Sequence, residues 1–295
     1  MSDSAPARAD IGIIGGSGFY NIEGMSEVQE IDLDTPFGKP SDKLAVGVLE
    51  GQRVAFIARH GRGHRFSPTE IPVQANIYAL KMLGVRQVIS ISAVGSMKED
   101  IAPLHIVATD QLYDRTVSRP RTFFGRGIVV HVTFDQPFCE LLRQTLLQAG
   151  RNEGATIHDG GTYVCIEGPQ FSTLAESETY RSWGVSVVGM TAIPEAKLVR
   201  EAEMCYATMA MVTDYDCWHP SHESVTVAMV IQNLQQNTAL AKRVVREAVR
   251  RIGAAGVQDH ACFHALENSI ITNPAAMPAE EVERVRLLIG KYVEK

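Results

Sequence analysis

The chain alternates short apolar, largely β-branched runs with longer stretches in which apolar residues recur every three or four positions. Several of the short runs are apolar on successive residues, which is typical of strands covered on both faces. The strands predicted from this pattern are Ile11–Ile14, Val54–Ala58, Gln87–Ser92, Ile106–Thr109, Val185–Val188 and Cys205–Val212.

The longer stretches predict helices between these strands. They cover about 73–83, 138–150, 173–184, the residues that follow Pro194, about 224–252, and the residues that follow Pro278. Thr173 and Glu176 have the spacing of a capping box. The alternation predicts an α/β fold: a single domain with a central mixed, largely parallel β-sheet flanked by helices. Ligands of such folds collect at the carboxyl ends of the strands.

Composition narrows the class of protein. The chain has 295 residues, of which 45% are apolar and 21% charged, and its net charge is −6. These values fit a soluble globular protein and argue against a general affinity for nucleic acid or for an anionic membrane. No apolar run reaches the roughly 18 residues of a membrane helix, and the polar first ten residues do not form a signal peptide.

The five cysteines are scattered and contain no CxxC pair. They are typical of reduced core residues, and the sequence therefore favours a cytoplasmic location. The five are Cys139, Cys165, Cys205, Cys217 and Cys262.

The stretch "IGIIGGSG" places a glycine-rich turn directly after the first predicted strand. The dinucleotide pattern fails because its last glycine position holds Asn21. The nucleoside-triphosphate pattern fails because the pair Gly38-Lys39 is followed by Pro40 instead of Ser or Thr. The ligand class still compatible with this turn is a small anion such as phosphate, which backbone N–H groups and the hydroxyl of Ser17 would bind. A tight structural turn is the alternative.

Two further turns follow predicted strands and carry anion-binding groups. In "ARHGRGH", Arg59 offers a planar fork of donors and His60 offers another. His60 and His64 are four residues apart, but the intervening glycines argue against a helical metal site. In "ISISAVGSM", Ser92 ends a strand and residues 93–96 form the turn after it. Together the three turns predict one phosphate or sugar pocket.

The stretch "MAMVTDYDCWH" carries two carboxylates where an apolar strand ends. In an extended chain Asp214 and Asp216 point the same way, and repulsion between them raises the pKa of one. A protonated acid beside an ionised one suits N7 and the 6-amino group of a purine. A solvated strand end and a metal site with His219 and His222 are the alternatives.

Eight motifs, taken together and in order, resemble the 5′-methylthioadenosine phosphorylases of the trimeric purine nucleoside phosphorylase family. They are "IGIIGGSG", "DTPFGKPSD", "ARHGRGH", "QANIYALK", "SAVGS", "TYVCIEGPQFST", "MTAIPEAKLVREAEMCYA" and "MVTDYDCW". The resemblance implies a nucleoside phosphorylase-like domain over residues 10–255. Residues 1–9 would be a flexible N-terminal segment, and residues 256–295 a C-terminal extension with a helix packed on the same domain.

The resemblance also assigns residues to parts of the site. Phosphate would be bound by Ser17, Arg59, His60, Ser92, Ala93 and Thr191. The base and ribose would contact Phe171, Ser172 and Met190, with Asp214 and Asp216 at N7 and N6 of the purine. His131 would reach the 5′ pocket of a neighbouring subunit, and Val227, Val230 and Ile231 would form the apolar wall for the methylthio group. Gln170 stands where relatives usually have Arg.

The activity implied is phosphate-dependent cleavage of 5′-methylthioadenosine to adenine and 5-methylthioribose 1-phosphate, in purine and methionine salvage. The resemblance implies a homotrimer, no metal or organic cofactor, and inorganic phosphate as co-substrate. Three alternatives stay open: a phosphorylase of 6-oxopurine nucleosides, a nucleosidase that uses water, and a nucleoside-binding protein without catalysis.

Overall fold

A mixed β-sheet forms the centre of the computed structural model, which describes residues 8–17, 19, 22–220, 227–256 and 258–293. For residues 227–231 only the backbone is described. The strands are β1 (Ile11–Gly15), β2 (Ser26–Ile31), β3 (Leu44–Leu49), β4 (Gln52–Ala58), β5 (Gln87–Ser96), β6 (Ile106–Ala108), β7 (Gln111–Arg115), β8 (Ile157–Asp159), β9 (Thr162–Ile166), β10 (Val187–Gly189) and β11 (Cys205–Asp214). The helices are α1 (Val73–Met82), α2 (Glu140–Asn152), α3 (Leu174–Ser182), α4 (Ala192–Glu201), α5 (Val227–Ala255), α6 (Ala279–Arg284) and α7 (Arg286–Val293).

Strand β5 connects the two halves of the sheet. It pairs in parallel with β1 over Gln87–Ser90 and with β11 over Gln87–Gly95. Its last two residues, Gly95 and Ser96, pair antiparallel with β10. The turn predicted over residues 93–96 is therefore wrong: β10 and β11 supply hydrogen-bond partners that keep the chain extended to Ser96. Ser92 and Ala93, which the sequence predicts to bind phosphate, therefore lie within a strand and not at the start of a turn.

The fold class predicted from the sequence is confirmed, with helices packed on both faces of the sheet. One apolar cluster joins the sheet to α1, α4 and α7, and the other joins it to α2 and α5. Strand β11 is buried along all ten residues, as expected for a strand covered on both sides. The sheet is mixed because β2, β3 and β4 form an antiparallel meander at one edge.

Five strands, β2, β3, β7, β8 and β9, are absent from the predicted set. Strand β2 is exposed over most of its length and polar in composition, so it lacks the apolar pattern of a buried strand. Strand β8 has three residues, fewer than periodicity resolves. The predicted strands themselves occur, with ends displaced by one to four residues.

Two predicted helix starts are confirmed by the structure. The capping box at Thr173 and Glu176 is confirmed, since each residue's side chain accepts a hydrogen bond from the other's backbone N–H. In α4, Ile193 has a non-helical backbone, so regular helix begins at Pro194 as predicted. The final helix is divided into α6 and α7 at Val285.

Both ends of the described chain join the same core. Ala9 is buried and its N–H donates to Leu83 O at 2.9 Å. Leu266, Leu288 and Ile289 belong to the apolar cluster that contains α1. Among the described residues, none of the helices has the length and apolar character needed to span a membrane.

Candidate active site

A cavity of about 1000 Å³ opens at the carboxyl ends of β1, β4 and β11. It brings together most residues that the sequence predicted for a site, and these are Ser17, Arg59, His60, Ser92, Ala93, Phe171, Ser172, Met190, Thr191, Asp214 and Asp216. They come from six separate segments of the chain.

Arg59 lies at the inner wall of this cavity in a buried ion pair with Glu195. Its Nε and Nη2 donate to the two carboxylate oxygens of Glu195, the second at 3.1 Å. Nη2 also donates to Ser90 Oγ at 2.5 Å, and Nη1 donates to Ile91 O at 2.9 Å. The open donor fork predicted for an anion is therefore wrong in geometry, because four of the five N–H groups of Arg59 serve the protein.

Glu195 was missed by the sequence reading because it lies 136 residues from its partner. It also accepts from Ser90 Oγ and from Tyr206 Oη, each at 2.9 Å. Burial lowers the pKa of the Arg59 guanidinium, but the charge and hydrogen bonds of Glu195 outweigh it and raise that pKa overall. Arg59 stays charged, and its charge is balanced by Glu195.

His60 contributes a neutral imidazole to the cavity. Burial and the neighbouring charge of Arg59 lower the pKa of His60 to about 4. Its Nδ1 lies 2.8 Å from Phe66 O, which requires the proton on Nδ1 and leaves the lone pair on Nε2. The ring stacks on His64 at 4.2 Å. The Nε2 atom of His60 therefore acts as an acceptor and not as the donor predicted from the sequence.

Three hydroxyls form a chain along the same wall. Ser92 Oγ lies 3.0 Å from Tyr163 Oη and 3.0 Å from Thr191 Oγ1. Burial raises the pKa of Tyr163 to about 12, so this residue remains a hydroxyl at neutral pH. A Cβ at Gly189 would lie 2.0 Å from Tyr163 Oη, so only glycine leaves room for this hydroxyl.

The two carboxylates of β11 lie at the other side of the cavity. Asp214 accepts from Thr213 Oγ1 at 2.7 Å and from the Asp216 N–H at 2.8 Å. Burial raises the pKa of Asp214, the two hydrogen bonds offset part of that rise, and the charge of Asp216 adds the smallest contribution. Burial likewise raises the pKa of Asp216. Desolvation therefore shifts this pair more than mutual repulsion does.

The extended geometry predicted for residues 214–216 is wrong. Asp216 has a left-handed backbone with φ of 51°, and its N–H turns back onto the Asp214 carboxylate. The strand ends at Asp214 because this side chain takes the hydrogen bond that would otherwise extend the ladder. Both carboxylates nevertheless line the cavity.

Two buried side chains that the sequence reading missed hold the neighbouring loops. Arg119 donates to Ile193 O at 2.7 Å, to Met190 O at 2.5 Å and to Glu167 O at 2.5 Å. Asn237 Nδ2 donates to Val212 O at 3.0 Å and so ties α5 to β11. No local sequence signal marks either residue, since each contact joins segments at least 25 residues apart.

Ser172 and Phe171 lie where a flat ligand could contact them. Phe171 is exposed at the cavity mouth. Ser172 Oγ is buried and has no hydrogen-bond partner among the described residues, so a ligand could satisfy it.

The structure places one of the remaining predicted residues outside this cavity and does not describe the side chains of the other three. His131 is exposed on the surface, with its N–H donating to Ser269 O at 2.9 Å, and is not part of the cavity wall. The side chains of Val227, Val230 and Ile231 lie outside the described residues. The next part of α5 contributes Leu234, Gln235 and Thr238 to the wall.

The comparisons with known proteins give one consistent result. The family model described as the phosphorylase superfamily matches residues 10–250. The S-methyl-5′-thioadenosine phosphorylase of Geobacter sulfurreducens is 56% identical over 96% of this chain and 99% of its own length. A methylthioadenosine phosphorylase from an antarctic soil metagenomic library has a TM-score of 0.90 at 46% identity, covering 95% of this chain and 99% of its own. The methylthioadenosine phosphorylase of Schistosoma mansoni in complex with adenine has a TM-score of 0.85 at 36% identity, covering 90% and 99%.

Replacing Glu195 with Gln tests the buried ion pair. The Glu195→Gln variant should lose about 3–5 kcal/mol of unfolding free energy, because the buried guanidinium loses its counter-charge. Urea unfolding at neutral pH measures the loss. The control is Glu23→Gln, which breaks an exposed pair with Lys242 and should leave the unfolding curve near that of the wild type. Equal effects of the two substitutions would contradict the role given to Glu195.

Proposed function

The chain belongs to the phosphorylase superfamily and, within it, to the S-methyl-5′-thioadenosine phosphorylases, and from this premise we infer that it cleaves the N-glycosidic bond of 5′-methylthioadenosine with phosphate. The products are adenine and 5-methylthioribose 1-phosphate. The enzyme is accordingly a pentosyltransferase.

The observation that carries the proposal is the spacing of two kinds of group along β5. Ser92, within the hydroxyl chain, and Gly95, beside the Asp214 carboxylate, are three residues apart on one strand. At about 3.3 Å per residue this separation is about 10 Å. That distance leaves room for a pentose between a phosphate at Ser92 and a purine at Asp214.

The phosphate end supplies neutral groups and one balanced charge. Ser17, Ser92 and Thr191 offer hydroxyls, and Arg59 keeps one hydrogen on Nη1 after its four bonds to the protein. Neutral His60 accepts at Nε2, and a protonated phosphate oxygen is the partner that such an acceptor needs. We propose that Ala93 adds its backbone N–H to this set.

The purine end supplies the proton. As the bond between C1′ and the purine stretches, its electron pair moves to the base, and Asp214 donates a proton to N7. Asp216 accepts from the 6-amino group, while Phe171, Ser172 and Met190 contact the base and the ribose. A phosphate oxygen forms the new bond to C1′ on the opposite face, which inverts that carbon.

The chemistry needs inorganic phosphate as co-substrate and, we propose, neither a metal nor an organic cofactor. Proton transfer from Asp214 and binding of the phosphate account for bond cleavage without further groups. The partners proposed are the small nucleoside and phosphate, and not nucleic acid or membranes, because the net charge of −6 repels polyanions.

The proposal extends to the setting of the reaction. Five free cysteines fit a reducing compartment such as the cytoplasm. Adenine and a pentose phosphate are products that purine and methionine salvage would reuse.

The phosphate requirement distinguishes this reaction from its alternatives. Incubation with 5′-methylthioadenosine should release adenine with inorganic phosphate present and not without it, as followed by chromatography. Release without phosphate would identify a nucleosidase, and binding without any release would identify a nucleoside-binding protein. Faster turnover of inosine would identify a 6-oxopurine phosphorylase.

Two conservative substitutions separate the roles of the carboxylates. Asp214→Asn should reduce kcat by about 10²–10⁴-fold, because the amide has no carboxyl proton for N7, while the phosphate KM changes little. Asp216→Asn is the matched control: it keeps that acid and should mainly weaken the preference for 6-amino over 6-oxo purines. Steady-state kinetics with methylthioadenosine and inosine measure both. A parallel loss of kcat and phosphate binding in Asp214→Asn would contradict its assignment as the acid.

The oligomer proposed is a homotrimer in which His131 reaches the 5′ pocket of a neighbouring subunit. Its support is that His131 is exposed and lies apart from the cavity of its own chain. Sedimentation equilibrium should give three times the chain mass of 32.3 kDa, and His131→Ala should raise KM for methylthioadenosine more than KM for phosphate. A 32.3-kDa monomer with full activity would overturn this arrangement.

A further inference from the structure

Four metal-ligating side chains converge at the end of β11 opposite the active site. Cys139, Cys205, His260 and Cys262 each offer one ligand atom, and all four atoms lie within 4.8 Å of one another. The sequence predicts scattered core cysteines and no cluster, since these ligands span 124 positions.

The four ligand residues come from three separate parts of the fold. Cys139 is the N-cap of α2 and its N–H donates to Tyr206 O at 2.7 Å. Cys205 is the first residue of β11. His260 and Cys262 belong to a short 3₁₀ turn over Ala261–His264, of which His260 is the N-cap. Secondary structure therefore fixes the backbone of each ligand before any ion binds.

Both ring nitrogens of His260 lie close to the cluster sulfurs. Nε2 is 3.8 Å from Cys139 Sγ. Nδ1 accepts a hydrogen bond from the Cys262 N–H at 3.1 Å, which coordination of an ion through this nitrogen would replace. The same Nδ1 lies 3.9 Å from Cys139 Sγ and 3.7 Å from Cys205 Sγ. The nitrogen is thus close to two of the three sulfurs.

These separations match a tetrahedral zinc ion. With a Zn–S distance of about 2.3 Å and a Zn–N distance of about 2.0 Å, tetrahedral geometry sets neighbouring sulfur and nitrogen atoms about 3.5 Å apart. The sulfur–nitrogen distances of 3.7 and 3.9 Å lie within a few tenths of an ångström of that value. Three thiolates and one imidazole are one of the common ligand sets of structural zinc sites.

The surroundings favour a closed site. The three cysteines are buried in the apolar cluster under α2 and α5, and His260 is half-buried. The four protein ligands fill a tetrahedron, which leaves no position for a substrate.

We propose that Cys139, Cys205, His260 and Cys262 bind one Zn²⁺ ion in a structural Cys₃His site. The ion joins the start of β11 to α2 and to the segment that follows α5. The ten residues of β11 place it about 30 Å from Asp214, so it takes no part in the chemistry. Zinc binding displaces the thiol protons, and the ion is therefore released as the pH falls.

Metal analysis of the untagged full chain tests the site directly. Protein produced with zinc in the medium and purified without chelator should contain about one Zn²⁺ per chain, measured by plasma mass spectrometry. After removal of zinc under reducing conditions, Co²⁺ should restore a spectrum with sulfur-to-cobalt charge transfer and the visible bands of tetrahedral Co²⁺. The Co²⁺ spectrum is measured on the wild-type protein, so this test does not depend on whether a substituted protein folds.

Substitutions then assign the ligands. Cys205→Ser and His260→Ala should each lower bound zinc by about tenfold or more at equal free metal, and His260→Ala should shift the visible bands of Co²⁺. The matched control is Cys217→Ser, which removes a thiol outside the cluster and should retain one Zn²⁺ per chain. Zinc should also raise the unfolding temperature of the wild type and not that of His260→Ala.

Three results would overturn the proposal. The first is a protein whose reduced thiols stay metal-free when titrated with Zn²⁺. The second is a mass two hydrogens lower with a Cys139–Cys205 disulfide in anaerobically purified protein, which would make the cluster a redox pair. The third is zinc that persists in both ligand variants, since the ion would then lie elsewhere.

Discussion

The buried pair of Arg59 and Glu195 is the interaction on which the active site depends. It joins the end of β4 to α4, and through Ser90 and Tyr206 it also joins β5 and β11. An isolated charge in this position would carry a large desolvation cost, so neither partner is stable there without the other. The four elements that line the cavity are consequently held by one polar network.

This network changes the electrostatic character of the phosphate end. A free guanidinium and a charged imidazole would present two positive charges, but Glu195 balances the first and His60 is neutral near pH 7. At the proposed phosphate end, the uncharged donors are therefore the hydroxyls of Ser17, Ser92 and Thr191. At the other side, desolvation keeps Asp214 and Asp216 easier to protonate than ordinary aspartates. Burial lowers the pKa of His60 at one end of the cavity, which keeps the imidazole neutral. At the other end, burial raises the pKa values of Asp214 and Asp216, which favours their protonated forms.

The sequence predicted the features that depend on local pattern. The alternation of elements, the capping box at Thr173 and the start of helix at Pro194 all follow from residues within a few positions of one another. Two predictions that are wrong involve distant partners. Residues 93–96 form strand instead of a turn because β10 and β11 pair with them, and Arg59 has no open donor fork because Glu195 lies beside it. The cysteine cluster has the same origin, since only the fold places residue 139 beside residue 262. Candidate residues could therefore be named from sequence motifs, while their hydrogen-bond roles required the tertiary structure.

The hydroxyl of Tyr163 occupies the space that any side chain at residue 189 would need. A library that randomises the cavity wall must therefore leave position 189 unchanged or replace both residues at once. Phenylalanine at 163 would not free the space, because ring carbon Cζ lies only 2.6 Å from a Cβ at 189, and it would remove a partner of Ser92. The shape of the cavity wall and the hydroxyl chain of Ser92 are thus linked through a pair of positions that cannot be mutated independently.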